Sequence, residues 1–337
     1  MPGLDDNWHH GRKRHARFVA ETTFGELPGA PSWTDVPFIG DGFKAKATSP
    51  PYQPDSSFGG GVDPAIAIQH RQEVVGDLVT LLWPQIIGAL LDAALERSGD
   101  NDDLTSYVWD HCTPVETRRL FGMVVERLTL QVNGTDEGDA QLTLGWRGQR
   151  EATVEGVVAG DFDYSGLDQR PFMGADSVIR LHAETITDVE SYTLTVENVL
   201  EVGPMHPVDG VTHRVPAFII AAGRTISLEL TKVNRKDTLN AALRSGGELS
   251  FDSKFYHPLG HLLQIQLPRL IVPESDEDGT PSRLARETPR LIALRDADLE
   301  TAILYACDLA AGGTTTIAPV TTTAAPTTTA APTTTGA

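Results

Sequence analysis

The sequence predicts a mainly β protein with flanking α-helices, arranged as two tandem β-sandwich or barrel domains. Three observations predict it. Apolar and polar residues alternate at period two in several segments. Two short helical stripes interrupt them. The order strand, loop, strand, helix occurs twice.

The strands come first. Leu128, Leu130 and Val132 alternate with Thr129 and Gln131. After an NGTDEG turn, Leu142, Leu144 and Trp146 alternate with Thr143 and Gly145, which reads as a β-hairpin. Tyr192, Leu194 and Val196 alternate with Thr193, Thr195 and Glu197. Ile226, Leu228 and Leu230 alternate with Ser227 and Glu229. Leu263, Ile265 and Leu267 alternate with Gln264 and Gln266. Such segments bury one face and wet the other.

The first helix is expected over 84–97. Pro84 suits a first helical position, and Ile86, Ile87, Leu90, Leu91, Ala94 and Leu95 form one apolar stripe. The second is expected over 237–245, with Asp237 as N-cap and Gly246 as stop.

The repeat emerges when Leu91-Asp92-Ala93-Ala94-Leu95 is set over Leu239-Asn240-Ala241-Ala242-Leu243, an offset of 148 residues. Leu78, Thr80 and Leu82 then fall on Ile226, Leu228 and Leu230. The loop SPPYQPDSSFGGGVD falls on ENVLEVGPMHPVDGV. The expected organisation is a basic arm over 1–16, a first domain over 17–156, a linker over 157–174 and a second domain over 175–311. A Thr/Ala/Pro-rich tail over 312–337 carries no charge and too little apolar surface to offset its ordering entropy.

Composition narrows function. The 337 residues are 40% hydrophobic, and 27 basic against 46 acidic side chains give −19. Residues 1–17 hold four basic and two acidic side chains, so the body carries −21. Such a body is a poor grip for nucleic-acid phosphates. Arg12, Lys13, Arg14 and Arg17 instead suggest an arm that docks on an acidic neighbour. Cys112 and Cys307 give neither a disulfide framework nor metal-ligand spacing. No apolar run is long enough to span a membrane, and no apolar segment follows the basic N-terminal residues as in a secretory signal. A soluble protein made in the cytosol, with reduced thiols, is expected.

No catalytic, cofactor or metal constellation stands out. Gly59-Gly60-Gly61 lacks a phosphate-loop Lys, and no Gly-x-Ser-x-Gly turn occurs. Asp161, Asp163 and Asp168 lack the EF-hand Gly and Glu. Asp276-Glu277-Asp278 reads as a solvated charge run in a loop. Pro258 and Gly260 separate His257 from His261, so that pair is not expected to converge. His111 has no partner set, and His9, His10 and His15 fall in the arm. The expectation is a protein without enzymatic activity or cofactor.

Several segments resemble one family. Phe18 to Val36, FVAETTFGELPGAPSWTDV, is similar to the opening of tail tube proteins of long-tailed bacteriophages. HRQEVVGDLVTLLWPQIIGALLDAAL resembles their Gly-Asp strand and following helix, and VVERLTLQVNGTDEGDAQLTLGWRGQRE their closing hairpin. LLQIQLPRLIVPE and TPRLIALRDADLETAILYACDL resemble the last strands of the second half. The similarity covers about 17–309. The long basic arm, a polar insertion over 99–117 and the terminal tail depart from the pattern.

The resemblance implies a virion protein made in the host cytoplasm. Its β domains would form rings that stack helically into a hollow tube for DNA. Three chains with two tube-like domains each would give pseudo-sixfold rings. The implied partners are further copies, the tape measure, the tail terminator and the distal tail proteins, with no membrane. A negative lumen would let DNA slide without sticking, with Glu197 and Glu229 as candidate lumen groups. Pro51, Tyr52, Phe58, Val202, Met205 and Val208 are candidate ring-to-ring contacts. Two other readings compete. A surface decoration or carbohydrate-binding module requires exposed aromatic side chains clustered on one face. An enzyme requires a concave polar site.

Overall fold

The computed structural model describes residues 14–39, 42–48, 51–52, 68–69, 72–98, 103–134, 140–168, 170–207, 214–233, 245–278, 286–297, 299 and 301–310. The fold is mainly β, as the alternation predicts. The first half contains β1 (His15–Ala20), β2 (Thr34–Val36), β3 (Phe43–Thr48), β4 (Pro51–Tyr52), β5 (Ile68–Gln69), β6 (Glu73–Leu81), α1 (Pro84–Leu95), β7 (Arg97–Ser98), β8 (Asp103–Leu104), β9 (Tyr107–Cys112), β10 (Thr117–Asn133), β11 (Ala140–Gly148) and β12 (Arg150–Val154). The second contains β13 (Ser177–Leu181), β14 (Glu184–Ile186), β15 (Val189–Val202), β16 (Met205–Pro207), β17 (Arg214–Pro216), β18 (Ile219–Val233), β19 (Leu249–Tyr256), β20 (Leu262–Asp278), β21 (Arg286–Ala293) and β22 (Leu304–Asp308).

One antiparallel sheet carries most of these strands. Its main path runs β14-β13-β19-β20-β21-β18-β15-β10-β11-β6-β3. The same pairings occur in each half. The run β10-β11-β6-β3 matches β20-β21-β18-β15 in order. β9 links β1 to β10, as β19 links β13 to β20. β12 lies on β10 as β22 lies on β20. Each half also has a two-stranded ribbon, β4-β5 and β16-β17. The halves join through β10 and β15.

Helix α1 covers the apolar side of the sheet. Pro84 stands at its start, and Ile86, Ile87, Leu90, Leu91, Ala94 and Leu95 are buried. It ends at Leu95, earlier than expected, because Glu96 is already extended and the chain enters β7. The helix expected over 237–245 lies almost wholly outside the described residues, as does the tail over 312–337. The core around α1 is continuous across both halves and includes Leu128, Leu130, Leu194, Leu228, Phe251 and Leu263.

The expected polar insertion is corrected. Tyr107–Cys112 is buried at every position and lies between β1 and β10. Its sequence YVWDHC does not alternate because both faces are covered. Trp109 stacks on Phe18 at 4.9 Å and meets Trp146 edge-on at 4.9 Å. The segment over 157–174 is largely exposed but is anchored by the buried Phe162, Phe172 and Gly174. Phe172 is fully buried, and its N–H donates to the Leu82 carbonyl at 2.9 Å.

Candidate functional site

The sheet presents one polar face opposite the core. Its composition follows from strand parity and register. Across the joined halves, Leu78, Leu144, Leu128, Val196 and Ile226 stand side by side and all are buried. One residue along each strand the other face appears. Lys44, Asp77, Gly145, Arg127, Glu197 and Thr225 form one row. Thr143, Thr129, Thr195 and Ser227 form a second. Gln141, Gln131, Thr193, Glu229 and Arg290 form a third. Hydroxyls and amides thus fill the middle; charges flank the first row and the β21 side of the third, while Val79 and Leu81 on β6 and Ile292 on β21 extend the second and third rows with apolar side chains.

Those charges are of both signs. Arg127 lies 3.8 Å from Asp77, and Arg147 reaches Glu126 at 3.1 Å and Glu73 at 3.5 Å. An open groove of about 630 Å3 runs past Lys44, Lys46, Asp77, Glu126, Arg127 and Glu197. Among the described residues, this face therefore does not concentrate the acidic excess of the chain. Glu197 and Glu229 are both exposed on it, on the adjacent strands β15 and β18.

The other expected residues are scattered. Pro51 and Tyr52 form β4, opposite Gln69 and Ile68. Val202 ends β15 opposite Ile219, and Met205 begins β16 opposite Pro216. The Gln72 N–H donates to the Arg214 carbonyl at 2.9 Å, bringing the bases of the two ribbons together. Phe58, Val208, Arg12 and Lys13 lie outside the described residues. Arg14 is partly buried just before β1.

Arg17 lies within the fold, and its expected place on a docking arm is corrected. Strand β1 already begins at His15, and the Arg17 side chain turns inward. Its Nε and Nη2 donate to Asp110 Oδ2 at 3.1 and 2.9 Å. Arg119 donates to the same carboxylate through Nε at 2.6 Å and Nη2 at 2.9 Å. The Arg17 guanidinium also stacks 4.4 Å from the Trp33 ring centre.

His257 and His261 do converge, contrary to expectation. A turn brings them together rather than a helix. Gly260 N–H donates to the His257 carbonyl at 2.8 Å, and Gly260 has φ +89, which favours glycine. The two rings lie 5.2 Å apart, and Asp168 Oδ2 is 2.9 Å from His261 Nε2. These three side chains form the one possible metal-ligating cluster among the described residues. Hydrogen bonding opposes that use. His261 Nδ1 accepts the Ala310 N–H at 2.9 Å, and His257 Nδ1 accepts the Leu259 N–H at 3.3 Å. Both rings therefore carry their proton on Nε2, facing Asp168 and the Arg170 carbonyl. A metal-bound histidine instead donates from its second nitrogen. The cluster is a clasp that ties the β19–β20 turn to the segment before β13 and, through Ala310, to the chain after β22. Asp161 and Asp163 are not part of it, accepting the Val158 and Ser165 N–H groups instead.

One partly buried carboxylate has no signal in the local sequence. Glu21 accepts the Gly25 N–H at 2.9 Å, the Gly122 N–H at 2.8 Å and the Ser106 hydroxyl at 2.6 Å. Burial pushes its pKa up, against those hydrogen bonds. It pins the loop after β1 and is not placed to do chemistry.

No helix among the described residues is long and apolar enough to cross a membrane. The family model described as phage tail tube protein matches residues 11–265. No curated protein matches the chain.

Proposed function

The chain belongs to the phage tail tube protein family, a structural and non-enzymatic family of the virion tail, and we propose that it forms rings that stack into the tail's hollow conduit. The polar face running from β3 to β21 lines the channel in this reading. The observation that carries it is the sheet's division into a dry side under α1 and a largely wet side, with Thr, Ser and Gln at its middle and charges of both signs around them.

Such a surface suits passing DNA. Threonine, serine and glutamine hydrate well and hold phosphate only weakly. The carboxylates of Glu73, Asp77, Glu126, Glu197 and Glu229 balance the cations of Lys44, Lys46, Arg127, Arg147 and Arg290, which leaves these groups no net cationic grip. Glu197 and Glu229 act by keeping the wall from turning basic rather than by making it strongly acidic.

The recurrence of strand order supports two tube-like domains per chain, over 17–156 and 175–311. Three chains would then complete a pseudo-sixfold ring. The ribbons β4-β5 and β16-β17, with Pro51, Tyr52, Val202 and Met205, would meet the next ring. In this assembly the tape measure occupies the channel during construction, and terminator and distal tail proteins cap the ends.

The carbohydrate-binding alternative requires clustered exposed aromatics. Among the described residues Phe218 and Tyr256 are the large exposed aromatic ones; Phe218 lies between β17 and β18, and Tyr256 ends β19.

Negative-stain electron microscopy of purified protein over a range of concentration and salt tests the reading. Rings or tubes with a central channel are expected. Uniform small particles under every condition would overturn it. Removing residues 1–13 is expected to shorten the tubes; unchanged tube length and yield would remove the arm from the account.

A further inference from the structure

We infer that Gln149 is a positioning residue that aims the β16–β17 ribbon from the first half of the chain, so that both ribbons are held as one contact surface. This rests on the reading above, in which the ribbons meet the next ring, and names what sets their direction.

The ribbon does not aim itself. It has three residue pairs, Met205 with Pro216, His206 with Val215 and Pro207 with Arg214. It forms a two-stranded sheet of its own. So short a ribbon is marginal in water without support. At its base the Gly203 N–H donates to the Phe218 carbonyl at 2.9 Å, and the Ala217 N–H to the Pro204 carbonyl at 3.0 Å. Those bonds join the ribbon's strands to each other and leave their angle to the large sheet open. Just before the ribbon, the pairing of β15 with β18 slips between Val199 and Leu200. A slip of this kind bends a strand pair rather than stiffening it.

Two hydrogen bonds from the first half supply the missing constraint. Gln149 is the single residue between β11 and β12, and it is 4% exposed. Its Nε2 donates to the Pro216 carbonyl at 2.9 Å, across 67 residues of chain. Its own N–H donates to the Phe121 carbonyl at 2.8 Å, which fixes its backbone on β10. The second bond runs from the Gln72 N–H to the Arg214 carbonyl, two residues before Pro216. Gln72 stands between β5 and β6, so this bond ties the base of one ribbon to the base of the other.

The seat of Gln149 is shaped for close approach. Gly25 and Gly122 have φ of 77 and 64, values that favour glycine. A Cβ on Gly25 would run into the Gln149 amide. One on Gly122 would lie 2.8 Å from both the Gln149 Cβ and the Phe24 ring. Glu21 accepts the N–H groups of both glycines, so the carboxylate that pins the loop after β1 also forms this seat. Support passes from Glu21 through the two glycines to Gln149, and from Gln149 to Pro216. An amide suits the task, because it donates to a carbonyl without bringing net charge into a buried site.

Gln149→Met and Gln149→Ala in the full-length chain test the inference. Methionine keeps the volume and loses the donor; alanine loses both. Circular dichroism checks folding. Amide hydrogen exchange of dilute protein, before assembly, compares residues 203–207 and 214–217 with β10 and α1. Sedimentation and electron microscopy read stacking. Both variants are expected to exchange about tenfold faster in the ribbon, the equilibrium value of about one buried hydrogen bond, with β10 and α1 unchanged. Tubes are expected to need at least about tenfold more protein, because the ribbons must be ordered as the rings stack. Unchanged ribbon exchange would overturn the inference. Exchange raised equally throughout, or loss of folding in both variants, would give Gln149 a general structural role and overturn it too. A methionine variant matching the parent would assign the effect to packing and overturn the role of the hydrogen bond. A loosened ribbon with parent-like tubes would overturn the link to stacking while leaving the ring reading intact. A parent that never assembles would overturn the ring reading and the role in stacking with it.

Discussion

Arg224 Nε donates to Asn198 Oδ1 at 2.9 Å, and together the two side chains close the C-terminus of α1. Asn198 Nδ2 donates to the Ala94 carbonyl at 3.1 Å and the Val125 carbonyl at 3.0 Å. Arg224 Nη2 donates to Ala94 and Leu95 carbonyls at 3.2 and 2.9 Å. The last carbonyls of a helix lack internal partners and attract positive charge. Here the helix belongs to the first half, and its cap comes from β15 and β18 in the second.

Asn198→Ala is therefore expected to destabilise the whole fold, not one half. Two carbonyls lose a donor, and Arg224 loses the acceptor that orients it. The loss should be about 2–3 kcal/mol, because the site is buried. Arg224→Lys should not restore a normal helix end, since an ammonium cannot reproduce the guanidinium fork. Urea unfolding would show this as one cooperative transition at a lower midpoint. A change under about 0.5 kcal/mol, the usual scatter for surface substitutions, would contradict it.

Asp110 carries a comparable burden. Its side chain is fully buried and accepts from both Arg17 and Arg119. Replacing it by Asn keeps the shape and leaves two buried guanidinium groups facing a neutral amide. Breaking a buried pair in this way costs about 3–5 kcal/mol. Asp110→Asn should lower the urea midpoint sharply. A near-neutral outcome would mean that Trp33 and solvent already compensate the two cations.

The β13–β14 turn points the other way, toward stabilisation. His182 and Ala183 have φ of 51 and 65, the left-handed values that a two-residue hairpin turn demands. An L-residue pays about 1–2 kcal/mol for this conformation, and glycine escapes it at some cost in unfolded-state entropy. Ala183→Gly should gain about 0.5–1 kcal/mol on balance. A thermal melt reads the gain as a raised midpoint; a lowered one would refute the strain.

What the sequence made legible follows physical lines. Strands β10, β11, β15, β18 and β20 were visible because one face is dry and the other wet, so their side chains alternate. β9 was hidden because both its faces are covered and nothing alternates. The polar face was legible strand by strand, but its mixed charge depends on register, which sets Arg127 opposite Glu197. The Arg17–Asp110 pair spans 93 residues and leaves no local trace. His257 and His261 meet through a turn, a geometry that helical spacing does not describe.

The buried His111 makes acid stability a further test. Burial, with Arg118 and then Arg14 adding to it, pulls its pKa down to about 4 from an ordinary value near 6.5. Among the described residues neither ring nitrogen has a hydrogen-bond partner, and the ring packs 4.5 Å from Phe43. The folded state thus holds His111 neutral where the unfolded chain would protonate it. The sign follows from proton uptake. Above about pH 6.5 both states are neutral and the residue exerts no pH dependence. Between about 6.5 and 4 the unfolded state binds more protons, so stability falls as pH falls. Below about 4 both states are charged and the loss saturates, at roughly 3 kcal/mol. His111→Phe should flatten this part of the stability profile whatever it does to stability at neutral pH. Urea midpoints for parent and variant between pH 7 and 4 would read the difference, and parallel profiles would show that His111 does not drive the acid loss.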